Sequence, residues 1–386
     1  MTDSRILKLS EEIFPEAVSV RRFLHENPEL GNNEFVTTKY IKDYLSSCEI
    51  EVLSPLETGA VGVLSCGKGK TVALRADIDA LPVTEETGLS YASKKDGLMH
   101  ACGHDIHTAA LLCAAKVLSQ NKDKLHGTVK FIFEPDEEGF GGAQRLIEKG
   151  VLQNPKADKV FGFHIRPETP CGKVCVKYSK SYAASDMFTV TVNGKSSHGA
   201  EPQNGKNALL AASQIVCALN GIVSRTLAPT ESAAVSVCTF ESGTACNIIS
   251  EKAVIKGIIR TLGKDSRALM KEAFKETVSN TAKAFGCTAE IEIRESYPGV
   301  VNCNKEVSFI EDCAKELLGN ENVITLDAPT LTTEDFGYFL DEADGCFYHI
   351  GVESEHPLHS SKINPDENAL KTAVAMHLNT VFELLK

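Results

Sequence analysis

Ten residues, Met99-His100-Ala101-Cys102-Gly103-His104-Asp105-Ile106-His107-Thr108, hold one thiol, three imidazoles and a carboxylate, and an apolar run follows at once. Soft and borderline donors gathered where a helix begins have the chemistry of a transition-metal site. The same residues would also serve as a polar loop with a buried cysteine and ordinary capping groups. A second cluster, Glu137-Glu138, lies just past an apolar run. Alone it could be a solvated helix start, where acids suit the positive helix end. In a hydrolytic metal site the pair divides the labour: one carboxylate holds metal and its neighbour accepts a proton from polarised water. A third stretch, His356-Pro357-Leu358-His359-Ser360, supplies a loop imidazole able to close such a site.

Those side chains need elements to position them. Ile6, Leu9, Ile13, Ala17, Val20 and Leu24 recur at helical spacing and predict a helix over 3–26, ended by Asn27-Pro28. A second helix is expected over 34–47 and a third over about 106–120. Thr71–Leu74, Val129–Phe133 and Lys159–Phe163 read as short apolar strands of a sheet buried on both faces. Strands alternating with helices predict an α/β fold, a mostly parallel mixed sheet with helices on both faces. Sites in such sheets form at the carboxyl ends of strands. Three of these strands release polar residues at that end: Asp77 and Asp79, Glu137 and Glu138, and His164.

From about residue 184 the pattern changes to strand, helix, two strands, helix, strand. This βαββαβ block predicts an α+β domain over 184–294, inserted into a catalytic domain made of 1–183 and 295–386. With 386 residues, two domains are the default expectation. Forty Lys and Arg against 52 Asp and Glu give a net charge of −12, which argues against binding nucleic acid or an anionic membrane. No apolar run approaches the ~20 residues that span a bilayer. The first residues lack a signal-peptide design, so a cytoplasmic location is expected. Thirteen cysteines then read as free thiols or ligands, with Cys113, Cys217 and Cys313 expected in the core.

Seven segments together resemble one family. They are Arg22–Leu30, Leu74–Pro82, Met99–Thr108, Phe133–Gly139, Ser197–Pro202, Thr333–Phe336 and Leu358–Ser360, in one order along almost the whole chain. The sequence is similar to the two-metal amidohydrolases that include bacterial aminoacylases, hippurate hydrolases, N-acetyl-diaminopimelate deacetylases and indole-acetyl-amino-acid hydrolases. The resemblance implies Cys102, His104, Glu138, His164 and His359 as ligands of two divalent ions, zinc or manganese, with Cys102 bridging. It implies Glu137 as general base and His198 as the oxyanion-stabilising group, often contributed by the other subunit of a dimer. Asn247 and Arg260 correspond to positions that hold a substrate carboxylate. The implied activity is hydrolysis of small N-acyl-amino acids by a homodimer, or higher homo-oligomer, whose inserted domain serves as lid and contact surface.

Many relatives in the wider clan carry a histidine ligand at Asp77 and a bridging aspartate at Cys102; the aminoacylase-like branch shows the pattern seen here. Asp136 stands where many branch members have alanine, and its charge is expected to raise the pKa of the base. His25, His100 and His107 are expected to support the site and not to ligate, and His126, His349 and His377 to be structural. Arg260 closes a strand and could instead be an ordinary surface ion-pair partner. Three other readings remain open: a dipeptidase or carboxypeptidase using the same site, a catalytically silent binding protein, and a cysteine-nucleophile amidase.

Overall fold

The apolar run that follows the thiol-imidazole stretch becomes the helix His104–Ser119, buried on nearly every side in a computed structural model that describes residues 3–139 and 141–386. A helix apolar all round belongs inside a protein. This one packs against the helices Asp3–Glu26 and Ala369–Leu384 and against the sheet. Its alanines, Ala109, Ala110, Ala114 and Ala115, let the neighbours approach closely, and all four are fully buried. Gly103 precedes it with φ of 81°, and a Cβ there would lie 2.2 Å from Ile165 Cδ1. Only glycine lets the chain turn into the helix this close to the strand carrying His164.

The chain divides into two compact units. The first comprises the chain up to Ser179, Asn302–Ala328 and Asp335–Lys386; the second comprises Lys180–Val301 and Pro329–Glu334. The second unit thus takes in a short segment far along the chain that periodicity alone does not reveal.

In the first unit an eight-stranded sheet runs in the order Glu51–Leu53, Ala60–Ser65, Gly127–Glu134, Lys70–Asp77, Lys159–Arg166, Asp344–Gly351, Val174–Val176, Val323–Thr325. The four strands from Gly127–Glu134 to Asp344–Gly351 are mutually parallel. Antiparallel neighbours flank them on both sides, which makes the sheet mixed. In register, Asp77 lies opposite Glu134 and His349 opposite His164. The carboxyl ends of the parallel strands therefore share one rim.

The second unit holds an antiparallel sheet in the order Ala233–Ser242, Lys252–Thr261, Ala184–Asn193, Thr288–Glu295. The helices Ala208–Thr226 and Lys264–Ala284 complete the βαββαβ order. Ile215, Leu219, Met270, Phe274 and Val278 build its core with Val190, Val192 and Ile255. Two sequence expectations need correction here. The helix Ala208–Thr226 is, by length and composition, apolar enough to cross a membrane, although no such segment was expected; its buried face belongs to this core. Cys217, on the same helix, is exposed, while Cys113 and Cys313 are buried. The helix carries apolar residues beyond the stripe that packing requires.

Candidate metal centre

Asp77 and Asp79 leave the end of the strand Lys70–Asp77 and organise the ligand-type side chains around them. Asp77 is fully buried. Arg75 donates from NH1 to Asp77 Oδ2 at 2.7 Å, from Nε to Glu134 at 2.6 Å and from NH2 to Asp335 at 2.9 Å. One guanidinium thus ties two adjacent strand ends to the segment that follows the second unit's last residue. His107 Nε2 accepts the Ile165 N–H at 3.0 Å, so its Nδ1 carries the proton and donates to Asp77 Oδ1 at 2.6 Å. Both ring nitrogens are used, and His107 is a brace.

His104 differs. Its Nδ1 lies 3.0 Å from the Asp79 carbonyl oxygen and 3.1 Å from Asp79 Oδ1, both acceptors. Nδ1 donates there, which leaves Nε2, buried and without a hydrogen-bond partner, as the nitrogen open to a cation. His164 repeats the arrangement: Nδ1 donates to the Ile165 carbonyl at 2.8 Å, and Nε2 lies 3.3 Å from Cys102 Sγ. Fixing one imidazole nitrogen by a hydrogen bond so that the other faces inward is how metal-binding histidines are oriented.

Glu138 is held by its backbone N–H, which donates to Asp79 Oδ2 at 3.0 Å, and its Oε1 lies 3.1 Å from His359 Nε2. His359 has φ of 66° and its N–H donates to the Ala101 carbonyl at 2.8 Å, which docks the closing loop onto the opening stretch. One donor atom each from Cys102, His104 and His164 lies within 4.8 Å of the others, and the same holds for Cys102, Glu138 and His359. Cys102 belongs to both triples. Glu137 is buried and groups in the same way with His104 and Glu138.

The electrostatics call for cations. Burial, reinforced by Glu138 and Glu137, pushes the Cys102 thiol well above its usual range. Burial disfavours a charged His104, yet Asp77, Asp79 and Glu138 outweigh it and raise that imidazole to about 10. Burial drives His164 the other way, helped by His107. A buried thiol that must ionise, and acids strong enough to hold a proton on an imidazole, make a negative pocket that divalent ions would neutralise. The buried, unpartnered Nε2 of His104, its proton displaced by a cation, fits the same purpose. The donor set suits such ions.

Asp136, whose charge is expected to act on the base, is itself paired. Asn32 Nδ2 donates to its carboxylate at 2.7 Å and Arg145 NH2 at 3.0 Å. Arg145 thus supplies a countercharge to Asp136, the neighbour of Glu137. His25 lies between Asp105 at 2.7 Å and Glu85 at 3.3 Å, and His100 is buried with neither ring nitrogen partnered.

In the second unit, Ile248 pairs with His198 in a short antiparallel ribbon, and the Gly199 N–H donates to the Asn247 carbonyl at 2.7 Å. His198 and Asn247 are therefore neighbours, both exposed. Arg260 stands elsewhere, on the large sheet of that unit, between Ala234 and Ser185. It is half-buried, its NH1 has no hydrogen-bond partner, and burial lowers its pKa. Against its reading as an ion-pair partner, Arg260 forms no ion pair among the described residues.

The model of peptidase family M20/M25/M40 matches residues 73–383. The chain belongs to this family. N-acetyl-L-cysteine deacetylase of Bacillus subtilis is 37% identical over 96% of this chain and 90% of its own length. Hippurate hydrolase of Campylobacter jejuni is 37% identical over 96% of this chain and 97% of its own. Among solved structures, the Bacillus subtilis YXEP protein, described as a dinuclear metal-binding peptidase of the M20 family, superposes with a TM-score of 0.85 at 32% identity, covering 97% of this chain and all of that one. This M20 chain is a metal-dependent hydrolase acting on amides.

The motif residues drew attention by type. Arg75, Asn32 and Glu34 did not, because an arginine inside a strand and polar residues after a proline look ordinary until the fold is seen. Asp79, noted only for its position at the strand end, turns out to hold both His104 and Glu138.

Proposed function

We propose that the chain hydrolyses the amide bond of small N-acyl-amino acids, with Cys102, His104, Glu138, His164 and His359 holding two divalent ions, zinc or manganese, and Glu137 acting as general base. The observation that carries this reading is the membership of Cys102 in both ligand triples, with Glu137 grouped beside them. Bound ions supply Lewis acidity at the amide oxygen and lower the pKa of water. Glu137 takes the proton of the attacking water and returns it to the amine nitrogen as the C–N bond breaks, so water and amide become a carboxylic acid and an amine. His198 is assigned to the oxyanion. Asn247 and Arg260 are assigned to the carboxylate of the amino-acid half; the half-buried Arg260, whose NH1 has no hydrogen-bond partner, supports that role.

The acting form is read as a homodimer joined through the inserted unit, in the cytoplasm. Support for the first comes from the edge strand Ala233–Ser242 and the exposed Leu209, Leu210, Phe240 and Ile248, all in the second unit. Support for the second comes from thirteen cysteines that are all unpaired. Turnover of a panel of N-acetyl- and N-benzoyl-amino acids beside dipeptides, with elemental analysis of the same preparation, tests the reading. N-acyl-amino acids should lead by about tenfold or more in kcat/KM, with two zinc or manganese ions per chain. Dipeptides leading the panel would overturn it in favour of peptidase action.

A further inference from the structure

Glu34, on the loop between the first two helices, is fully buried and takes no part in the ligand set. Its Oε1 accepts the backbone N–H of Asp136 at 2.9 Å. Asp136 is the residue just before the base, and it sits in the left-handed region with φ of 62°. That conformation is disfavoured for a non-glycine residue and persists where the surroundings enforce it.

Here every polar group of the residue is tied. The N–H goes to Glu34, the carbonyl accepts from Gly141 N–H at 3.2 Å, and the carboxylate is held by Asn32 and Arg145. The carboxylate also lies where Gly31 and Gly139 leave room, since a Cβ on either would come within 2.1 Å of Asp136 Oδ1. Asn32 is itself left-handed, with φ of 64°, and also accepts from Arg145 through its Oδ1. The loop is braced in turn. Glu29 accepts the N–H groups of Val36 and Thr37 at the start of the helix Phe35–Ser47, and Thr38 Oγ1 accepts the Gly59 N–H.

We infer that Glu34 and Asn32 form a clamp that holds Asp136 in its left-handed turn and so aims Glu137 at the reacting water; they are positioning residues for the base. This rests on the reading of Glu137 given above. Burial, with Asp79 near by, raises the Glu34 carboxyl to about 7, while the Asp136 N–H and Thr58 favour its charged form. Burying an acid is costly, and its retention here is in keeping with a duty to the turn.

The test compares kcat and KM for wild type, Glu34→Ala, Glu34→Gln, Asn32→Ala, Glu137→Gln and the double variant Glu34→Ala/Glu137→Gln, on the best N-acyl-amino acid of the panel. Glu34→Ala should lower kcat about 10- to 100-fold with KM within about threefold, because a small misplacement of a catalytic group is that damaging. Glu34→Gln keeps a carbonyl acceptor for the Asp136 N–H and should recover kcat to within about threefold of wild type. In the Glu137→Gln background, adding Glu34→Ala should change residual turnover by less than about twofold, since its partner in the effect is already gone. A Glu34→Ala variant with wild-type kcat, beside a crippled Glu137→Gln, would overturn the clamp and leave the base standing. So would an equal loss from Glu34→Ala in both backgrounds. A Glu137→Gln variant within about tenfold of wild type would overturn the base assignment and the clamp with it. Should Glu34→Ala not fold, Asn32→Ala removes the Asn32 contacts to the Asp136 carboxylate and to Arg145. It should lower kcat about three- to tenfold and do so non-additively with Glu137→Gln, and wild-type turnover or additivity would overturn the inference.

Discussion

The two units hold their chemical residues in opposite ways. In the first, Asp77, Asp79, His104, His107 and Glu137 are buried, and most of their polar atoms are committed before any ligand arrives. In the second, His198 and Asn247 are exposed and lightly held, His198 by one bond from the Ala200 N–H at 3.1 Å, and Arg260 keeps an unpartnered NH1. Preorganisation suits a centre that must hold cations and a proton acceptor in fixed places. Loosely held groups suit recognition of a substrate that comes and goes. The first unit should therefore govern metal content and proton transfer, and Asn247 and Arg260 of the second KM.

The largest expected effect is at Cys102. Cys102→Ala removes the residue common to both ligand triples, and turnover should fall by at least about 10³-fold with fewer than two ions retained per chain, as metal chemistry of this kind supplies several kcal/mol. Two tightly bound ions in that variant would break the comparison at its strongest point. Asp79→Ala touches no reacting group, yet it frees both the His104 ring and the Glu138 N–H. Loss of such an outer partner costs about 10- to 100-fold in metal affinity or activity, measurable by titrating activity back with added metal. Arg260→Ala should raise KM about tenfold or more while kcat stays within about threefold, as expected for loss of uniform binding. A fall in kcat at constant KM would place Arg260 with the catalytic residues and blur the contrast between the units.

The smallest effect concerns stability against pH. Burial raises Glu34 from 4.5 to about 7, so the folded chain keeps a proton that the unfolded chain releases. The stabilisation from that proton is complete below pH 4.5 and is lost as pH rises to about 7. Glutamine cannot titrate. Between pH 5 and pH 8, wild type should lose more in Tm than Glu34→Gln, and parallel curves would show that Glu34 contributes no such linkage.

Much of the first unit was legible because its elements are long and periodic. The helix expected over 3–26 spans Asp3–Glu26, and the strands that release Asp77, Glu137 and His164 end on one rim as their apolar runs implied. The site residues were legible where residue type is itself chemical, as with Cys102, His104 and the paired glutamates. Three kinds of feature were not. Short edge strands such as Glu51–Leu53 and Val323–Thr325 carry too few residues to set a period. Long-range hydrogen bonds, such as Arg75 to Asp335 or Glu34 to Asp136, join residues that no spacing rule connects. The charge of Asp136 was read from its neighbours in sequence, whereas its partner Arg145 comes from the next helix.

Glu137 carries the proposed proton transfer. Glu137→Gln preserves size and leaves Cys102, His104, Glu138, His164 and His359 untouched, so the variant should still bind two divalent ions per chain by elemental analysis. Its kcat on an N-acyl-amino acid should fall by about 10²- to 10⁴-fold, the usual contribution of a general base. Full metal content with kcat within about tenfold of wild type would contradict the central claim.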